Sequence, residues 1–497
     1  MAMAAGKMAA GNLAAQVRET HTGVVVLLGG RAFKAKKPVQ TDFLDFSTAA
    51  LRERACQHEL TLNRRLAPSS YLGVAHLSDP LGGPAEPVIV MRRHPDSARL
   101  AFLVDSGEPV FGHLGAVARV LARFHQDAER GPTIAAQGTD DAVWARWRQN
   151  LDELDKYADG TDDVDTADSL GEVRRLAGQF VAGRQALFAQ RIAEDRIIDG
   201  HADLLADDIF CLPQGPELLD CLEFDDELRY VDGIDDAAFL AMDLEFLGHK
   251  DLAGYFVEQY TKCGEDPAPR ALIDFYIAYR ALVRAKVDSV RVSQGHREAS
   301  ADARRHLDLV LEHLRAGTVR LIIVGGGPGS GKTTLSTALA EQLAAQVIST
   351  DDVRRQLQVE GVVSGAAGEL NAGLYSPKNV AAVYDEVLER AQAGLSRGHS
   401  VILDGTWRDQ DQRSRARDLA RKTSAPIVEF NCTVPIAEAS VRIERRPRSN
   451  SDATPDIAAA LTGAGAGGGR QEIHDLDTAR PLDESVLEAR EICWRAT

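Results

Sequence analysis

Cysteine is scarce in this chain. Six thiols in 497 residues, at positions 56, 211, 221, 263, 432 and 493, form no CxxC pair and no zinc-ligand spacing. That argues against a disulfide-framed module and against a zinc-ribbon domain. Long apolar runs are missing too. None reaches the roughly 18 residues that a membrane span needs, and the Ala-rich start MAMAAGKMAAGN lacks the apolar stretch of a signal peptide. Positive charge is in short supply: 57 Lys and Arg stand against 74 Asp and Glu, a net charge of −17. An average surface of that sign repels nucleic acids and anionic bilayers. A cytoplasmic protein with no nucleic-acid partner and no membrane partner is expected; the oligomeric state is not legible.

What is present fits a globular protein: 44% hydrophobic and 26% charged residues. At about 100–200 residues per domain, two or three domains are expected. HTGVVVLLGGRAFKAKKPV reads as a hairpin turning at Gly29-Gly30, and STAALRERACQHELTLNRRLAP as a helix ending before Pro68. PVIVMRR reads as a strand, and HLGAVARVLARFH as a helix. The acidic ADGTDDVDTADS, from Ala158, reads as an exposed loop; strands follow near Ile197 and Leu218, then helices to about Arg315. From RAGTVRLIIV onward, strands and helices alternate, which predicts a parallel sheet covered by helices. The boundary is placed near 316/317, giving domains 1–316 and 317–497. AAALTGAGAGGGR, late in the second, reads as a flexible loop.

The strongest local signal is GGPGSGKT. Gly326, Gly327, Pro328, Gly329, Ser330, Gly331, Lys332 and Thr333 match GxxxxGK[ST], between an apolar strand and a helix that continues with Thr334. Glycines let backbone N–H groups curl around phosphate oxygens, and the helix N-terminus adds a favourable dipole. Lys332 is expected at the β- and γ-phosphates of ATP and Thr333 at Mg²⁺. Asp404 ends the apolar strand SVILD, where a metal-supporting acid belongs. In VISTDDVRR, Asp351 and Arg354 follow another strand; Asp351 either acts on an acceptor hydroxyl or caps the next helix. Arg442 and Arg446, with Arg445 and Arg448 nearby, form either a phosphate clamp or a solvated basic face.

This DxxR arrangement resembles small-molecule P-loop kinases of the gluconate-kinase and zeta-toxin type. The resemblance implies that Asp351 orients or deprotonates an acceptor hydroxyl, that Arg354 holds substrate, and that Arg442 and Arg446 close over the phosphates.

A second constellation lies upstream. HADLLADD places His201, Ala202, Asp203, Leu204 and Asp208 in the frame of the HGDLHxxN loop of the aminoglycoside-phosphotransferase family. Ala202 stands where that family often has Gly, Leu205 where it has His, and Asp208 where it has Asn. Lys34, with Lys36 as the competing choice, follows the glycine hairpin; Glu59 in the next helix either pairs with that lysine or faces solvent. Asp220 ends a later apolar run, and Glu223, Arg229, Asp232 and Asp236 follow it. The ordered set resembles bacterial proteins in which an aminoglycoside-phosphotransferase-like domain is fused to a zeta-toxin-like P-loop kinase. The fold implied is mixed, α/β with α+β: a protein-kinase-like N-terminal part and a parallel α/β P-loop part. The resemblance further implies Asp203 as catalytic base, Lys34 and Glu59 at ATP, Asp208 and Asp220 at Mg²⁺, and a small hydroxylated acceptor, sugar-like or amino-sugar-like. The alternative is an N-terminal pseudokinase that binds a ligand and regulates a C-terminal ATPase.

Overall fold

The structure is a computed structural model describing residues 15–19, 23–40, 45–78, 82–158, 164–366, 372–445 and 473–497. Arg446, Arg448 and the glycine-rich AAALTGAGAGGGR segment lie outside the described residues. The chain divides into two compact units, 1–138 with 194–267 and 139–193 with 268–497. This division differs from the 316/317 boundary read from the sequence. The helices of 139–193 and 268–316 pack against one another, and the division places them together with 317–497.

The first unit opens with β1 (Gln16–Glu19), β2 (Gly23–Leu28), β3 (Arg31–Lys36), α1 (Ala49–Asn63), β4 (Tyr71–Leu77) and β5 (Glu86–Arg92). They form an antiparallel sheet in the order β1-β2-β3-β5-β4. The β2–β3 hairpin turns at Gly29-Gly30, as expected, with Gly29 at φ 54°. Thr48 caps α1 by accepting from Leu51 N–H. Cys56 and Leu60 of α1 pack on Leu27, Ala32, Ile89 and Met91 of the sheet. Alternation along β3 puts Ala32, Lys34 and Lys36 on one face.

Next come α2 (Leu100–Asp105), α3 (Phe111–Asp127) and α4 (Pro132–Ala136). The chain then runs through α5 (Asp140–Ala158), α6 (Val164–Gly183) and α7 (Gln185–Ala193) of the second unit. The acidic stretch expected as a loop is helical from Val164 onward, because Leu170, Val173 and Ala177 supply a buried stripe further along the same helix. Back in the first unit, β6 (Ile197–Asp199) pairs with β9 (Tyr230–Asp232), and β7 (Ile209–Leu212) with β8 (Gly215–Leu218). The helices α8 (Gly233–Phe246) and α9 (Lys250–Cys263) follow.

The second unit continues with α10 (Arg270–Ser293), α11 (Ala299–Ala316), β10 (Leu321–Gly326), α12 (Lys332–Leu343), β11 (Gln346–Ser349) and α13 (Thr350–Val359). It ends with α14 (Pro377–Ser396), β12 (Val401–Asp404), α15 (Gln410–Lys422), β13 (Ile427–Thr433), α16 (Ile436–Glu444), β14 (His474–Asp477) and α17 (Leu482–Arg495). Its sheet is parallel, in the order β11-β12-β10-β13-β14. The central strand β10 is buried throughout, which is why LIIV is uninterrupted by polar residues. β1 and β14 were not anticipated: QVRE and HDLD are short, polar edge strands with little apolar alternation.

Candidate active sites

β10 delivers the chain into the glycine loop. Gly329 and Gly331 take φ 76° and 82°, and Gly331 is the residue before α12. A Cβ on Gly329 would stand 2.6 Å from the carbonyl oxygen of Ala439, so both conformation and space require glycine there. Lys332 Nζ donates to the Gly327 carbonyl at 2.9 Å, folding back over its own loop.

β12 lies beside β10, with Asp404 in register with Val324. Thr333 Oγ1 donates to Asp404 Oδ2 at 2.7 Å. Asp404 Oδ1 is buried and accepts no hydrogen bond. Burial pushes the Asp404 carboxyl up, and the nearby charges of Asp351 and Asp352 push the same way, against Thr333 and Lys332. A buried acid with one orphaned oxygen, beside a threonine hydroxyl and a phosphate loop, fits Mg²⁺, which takes one or two protein oxygens and completes its shell with water and phosphate. Among the described residues no three His, Cys, Asp or Glu side chains are placed to hold a metal by themselves.

Asp351 sits in the first turn of α13. Ser349 caps that helix, accepting from Asp352 N–H, so Asp351 is not the cap. Its Oδ1 accepts from Arg354 Nη1 at 2.5 Å. The Arg354 guanidinium lies 4.6 Å from the Tyr375 ring centroid, and its Nε is buried without a partner. Arg442, on α16, donates to the Thr478 carbonyl at 2.8 Å and pairs with Glu438. It also lies 3.4 Å from where a Gly331 Cβ would be, which puts it at the loop.

Three contributors were not visible in the sequence. Thr478, beyond β14, donates its hydroxyl to the Ser330 carbonyl at 2.6 Å and braces the loop. Trp407, fully buried at φ 46°, packs edge-on against Tyr384 at 4.9 Å. Arg413 bonds the Trp407 carbonyl and, at 3.1 Å, Glu429, so the segment after Asp404 is held from beneath. The Asp-Gly-Thr-Trp run was the available signal, since a tryptophan just past a strand end rarely stays in solvent.

In the first unit, Lys34 Nζ stands 2.8 Å from Glu59 Oε1 and 2.6 Å from Asp220 Oδ1. Glu59 is fully buried rather than solvent-facing. A lysine on β3 paired with a helix glutamate is the ion pair that protein-kinase-like phosphotransferases use. Lys36 belongs to the same network, 2.5 Å from both Glu59 Oε2 and Glu223 Oε1.

The His201 loop follows β6. Asp236, near the start of α8, accepts from the N–H groups of His201 and Ala202, each at 2.7 Å. It also contacts His125 Nε2 at 2.9 Å, while His125 Nδ1 lies 2.8 Å from the Tyr260 hydroxyl. Ala202 takes φ 67°, the left-handed region that explains the related family's glycine. The Asp236 carboxylate over-determines this turn and so holds an alanine in it. His201 is buried, which lowers its pKa; its Nε2 reaches the Leu219 carbonyl at 3.0 Å, next to Asp220.

Asp203 is half-buried in this loop. Asp208 closes a short 3₁₀ turn, and its carboxyl is pushed well up by burial and by the charges of Asp220, Asp203 and Asp207. Lys34 instead holds the Asp220 carboxyl below its usual range. The charges of Asp220, Asp203 and Asp207 thus all bear on Asp208, while Asp220 itself is paired with Lys34. Carboxylate oxygens are the donor type that a hard divalent cation takes. Sequence reasoning named Asp236 only as part of a pattern and missed His125 and Tyr260, whose link to the loop exists only in three dimensions.

A family model described as an AAA domain matches residues 321–462, starting with β10 and its loop. Over 480 residues the chain is 58% identical to the uncharacterized protein Rv2004c of Mycobacterium tuberculosis (strain ATCC 25618 / H37Rv), covering 97% of this chain and 95% of that protein. The same values hold for the uncharacterized protein Mb2027c of Mycobacterium bovis. The chain belongs to this mycobacterial family. Family members thus carry both units, and the matched AAA domain falls within the second. Among solved structures, the chain is similar to a gluconokinase from Sinorhizobium meliloti 1021, at 20% identity over 36% of this chain and 92% of that one, TM-score 0.27. It is also similar to a choline/ethanolamine kinase family protein from Mesorhizobium loti, at 14% identity over 61% and 94%, TM-score 0.36. Among the described residues no helix is long and apolar enough to cross a membrane.

Proposed function

We propose that this protein transfers the γ-phosphate of ATP to a hydroxyl of a small molecule, sugar-like or amino-sugar-like, at the P-loop site. The observation that carries this reading is the Thr333–Asp404 contact at 2.7 Å, with the second Asp404 oxygen buried and unpartnered next to Lys332. Mg²⁺ at this pair would neutralise charge on the β- and γ-phosphates. Gly326, Gly327, Gly329, Ser330, Gly331, Lys332, Thr333 and Thr334 would cradle the phosphates. Asp351 would take the acceptor proton, with Arg354 holding it in line and Arg442 clamping from α16. Most of the acceleration then comes from positioning and preorganised charge. We assign 1–316 and 317–497 as the two functional domains, the second starting just ahead of the matched 321–462 segment.

For the first unit we propose a second nucleotide site, with Lys34 and Glu59 at the phosphates, Asp208 and Asp220 at Mg²⁺, and Asp203 as base. The Lys34–Glu59–Asp220 geometry supports it. The pseudokinase alternative is favoured by one specific feature: the loop carries Ala202 at φ 67° together with Asp208 in place of an amide. Transfer of labelled phosphate from ATP into a metabolite extract tests both. Lys332→Ala abolishing transfer supports the P-loop site, and unchanged transfer by Asp203→Asn removes catalysis from the first unit. If Lys332→Ala leaves ATP binding and transfer intact, the main assignment is wrong.

A further inference from the structure

Phosphotransferases of the kinase type need one lysine on this glutamate. This chain has two. Glu59 is fully buried and divides its carboxylate, Oε1 to Lys34 and Oε2 to Lys36. The two lysines then part company. Lys34 reaches outward to Asp220, whose side chain is half-exposed, while Lys36, 4% exposed, reaches inward to Glu223 and lies 5.4 Å from the Phe46 ring centroid.

The asymmetry has a consequence for nucleotide binding. Asp220 must leave Lys34 if it is to turn to a metal ion, and Lys34 must then turn to phosphate. A buried carboxylate left with a wandering counter-ion is costly, because an unpaired charge in the interior loses its solvation with nothing to offset it. Lys36 removes that penalty because it is itself buried and stays between Glu59, which is fully buried, and Glu223, which is far less exposed than Asp220. Burial works against the charge on Lys36, yet Glu59 and Glu223 outweigh it and raise its pKa, so the ammonium persists.

We propose that Lys36 is a positioning residue, the standing counter-ion of Glu59, which lets Lys34 exchange Asp220 for a nucleotide phosphate. The proposal rests on the reading of the first unit as a nucleotide site. It assigns the two lysines opposite phenotypes, which a role in folding alone does not.

The test uses the full chain carrying Lys332→Ala, so that the P-loop site is silent, with mant-ATP and Mg²⁺ as the probe. Lys34→Met is expected to weaken mant-ATP binding by about tenfold or more while changing thermal stability little, since Lys36 still neutralises Glu59. Lys36→Met is expected to lower the Tm of the nucleotide-free protein by about 5–10 °C and to weaken binding less than Lys34→Met does. In a Glu59→Gln background, Lys36→Met should cost little more, because the charge it compensates is gone. Additive effects of Lys36→Met and Glu59→Gln on Tm, or the same ratio of stability loss to binding loss in both lysine variants, overturn the proposal for Lys36. Absence of any mant-ATP binding in the Lys332→Ala parent overturns the nucleotide site of the first unit itself, and the exchange with it; the additivity of the Tm values still shows separately whether Lys36 neutralises Glu59.

Discussion

Thr333 and Asp404 are 71 residues apart in sequence and joined by a 2.7 Å hydrogen bond. The bond ties the first turn of α12 to the end of β12, and it spends only one of the two Asp404 oxygens. Asp404→Asn removes a buried charge whose ionised form burial disfavours. The nucleotide-free variant should therefore unfold at the same temperature as the parent or slightly higher. The apparent Mg²⁺ requirement of turnover should rise by about ten- to a hundredfold. A magnesium titration of phosphate transfer, set beside a melting curve, checks both halves.

Asp351→Asn should likewise separate stability from chemistry. Ser349 caps α13, and the Asp351–Arg354 pair is partly exposed. The variant should lose only about 0–1 kcal/mol of stability. If Asp351 is the acceptor's base, kcat should fall by about 10²–10⁴-fold with little change in the KM for ATP. Steady-state kinetics with varied ATP reads this directly, and a kcat within twofold of the parent removes the role.

Gly329→Ala combines a left-handed φ of 76° with a Cβ 2.6 Å from the Ala439 carbonyl. The left-handed conformation alone costs about 1–2 kcal/mol in an L-residue, and the contact forces α16 away from the loop. ATP affinity should fall sharply while the sheet below, centred on Ile322 and Val324, stays intact. Isothermal titration with ATP and far-UV circular dichroism distinguish this local effect from unfolding.

Asp236→Asn should destabilise the first unit by about 3–5 kcal/mol. The carboxylate serves two backbone N–H groups and His125, and one asparagine oxygen cannot replace both acceptors. Burial acts to raise the Asp236 carboxyl, but His125, His201 and the backbone donors outweigh it and hold it below the ordinary range. A lowered carboxyl stabilises the fold fully above its unfolded pKa of about 3.9, and that contribution is lost as pH falls through the folded value. The Asp236 contribution should therefore be intact down to about pH 5 and fade only in stronger acid. Urea unfolding of both proteins across the acid range measures it.

The glycine loop was legible because its chemistry is local. Gly326 to Thr333 are contiguous, and strand, loop and helix follow in one reading. The hairpin that presents Lys34 and the alternating strands and helices after 316 were legible for the same reason: hydrophobic period and turn residues act over a few positions. Lys34 with Glu59 was legible as an ordered pair, though the sequence left Lys36 as a rival rather than a partner. The polar edge strands β1 and β14 carried no such local signal.

Other relationships depend on where distant segments meet. Lys36 and Glu223 are 187 residues apart, and Asp236 lies under the His201 loop only because α8 starts beneath β6. Thr478 braces the Ser330 carbonyl from across 148 residues. The sequence alone determined which groups exist and the short-range geometry that turns a loop around a phosphate. The tertiary structure decided which acids lie close to one another, which capping roles go elsewhere, as Ser349 relieves Asp351, and which buried charges have a standing partner. The physical reason is that Coulomb and hydrogen-bond energies fall off within a few ångströms, so they answer to spatial neighbours that the linear order does not name.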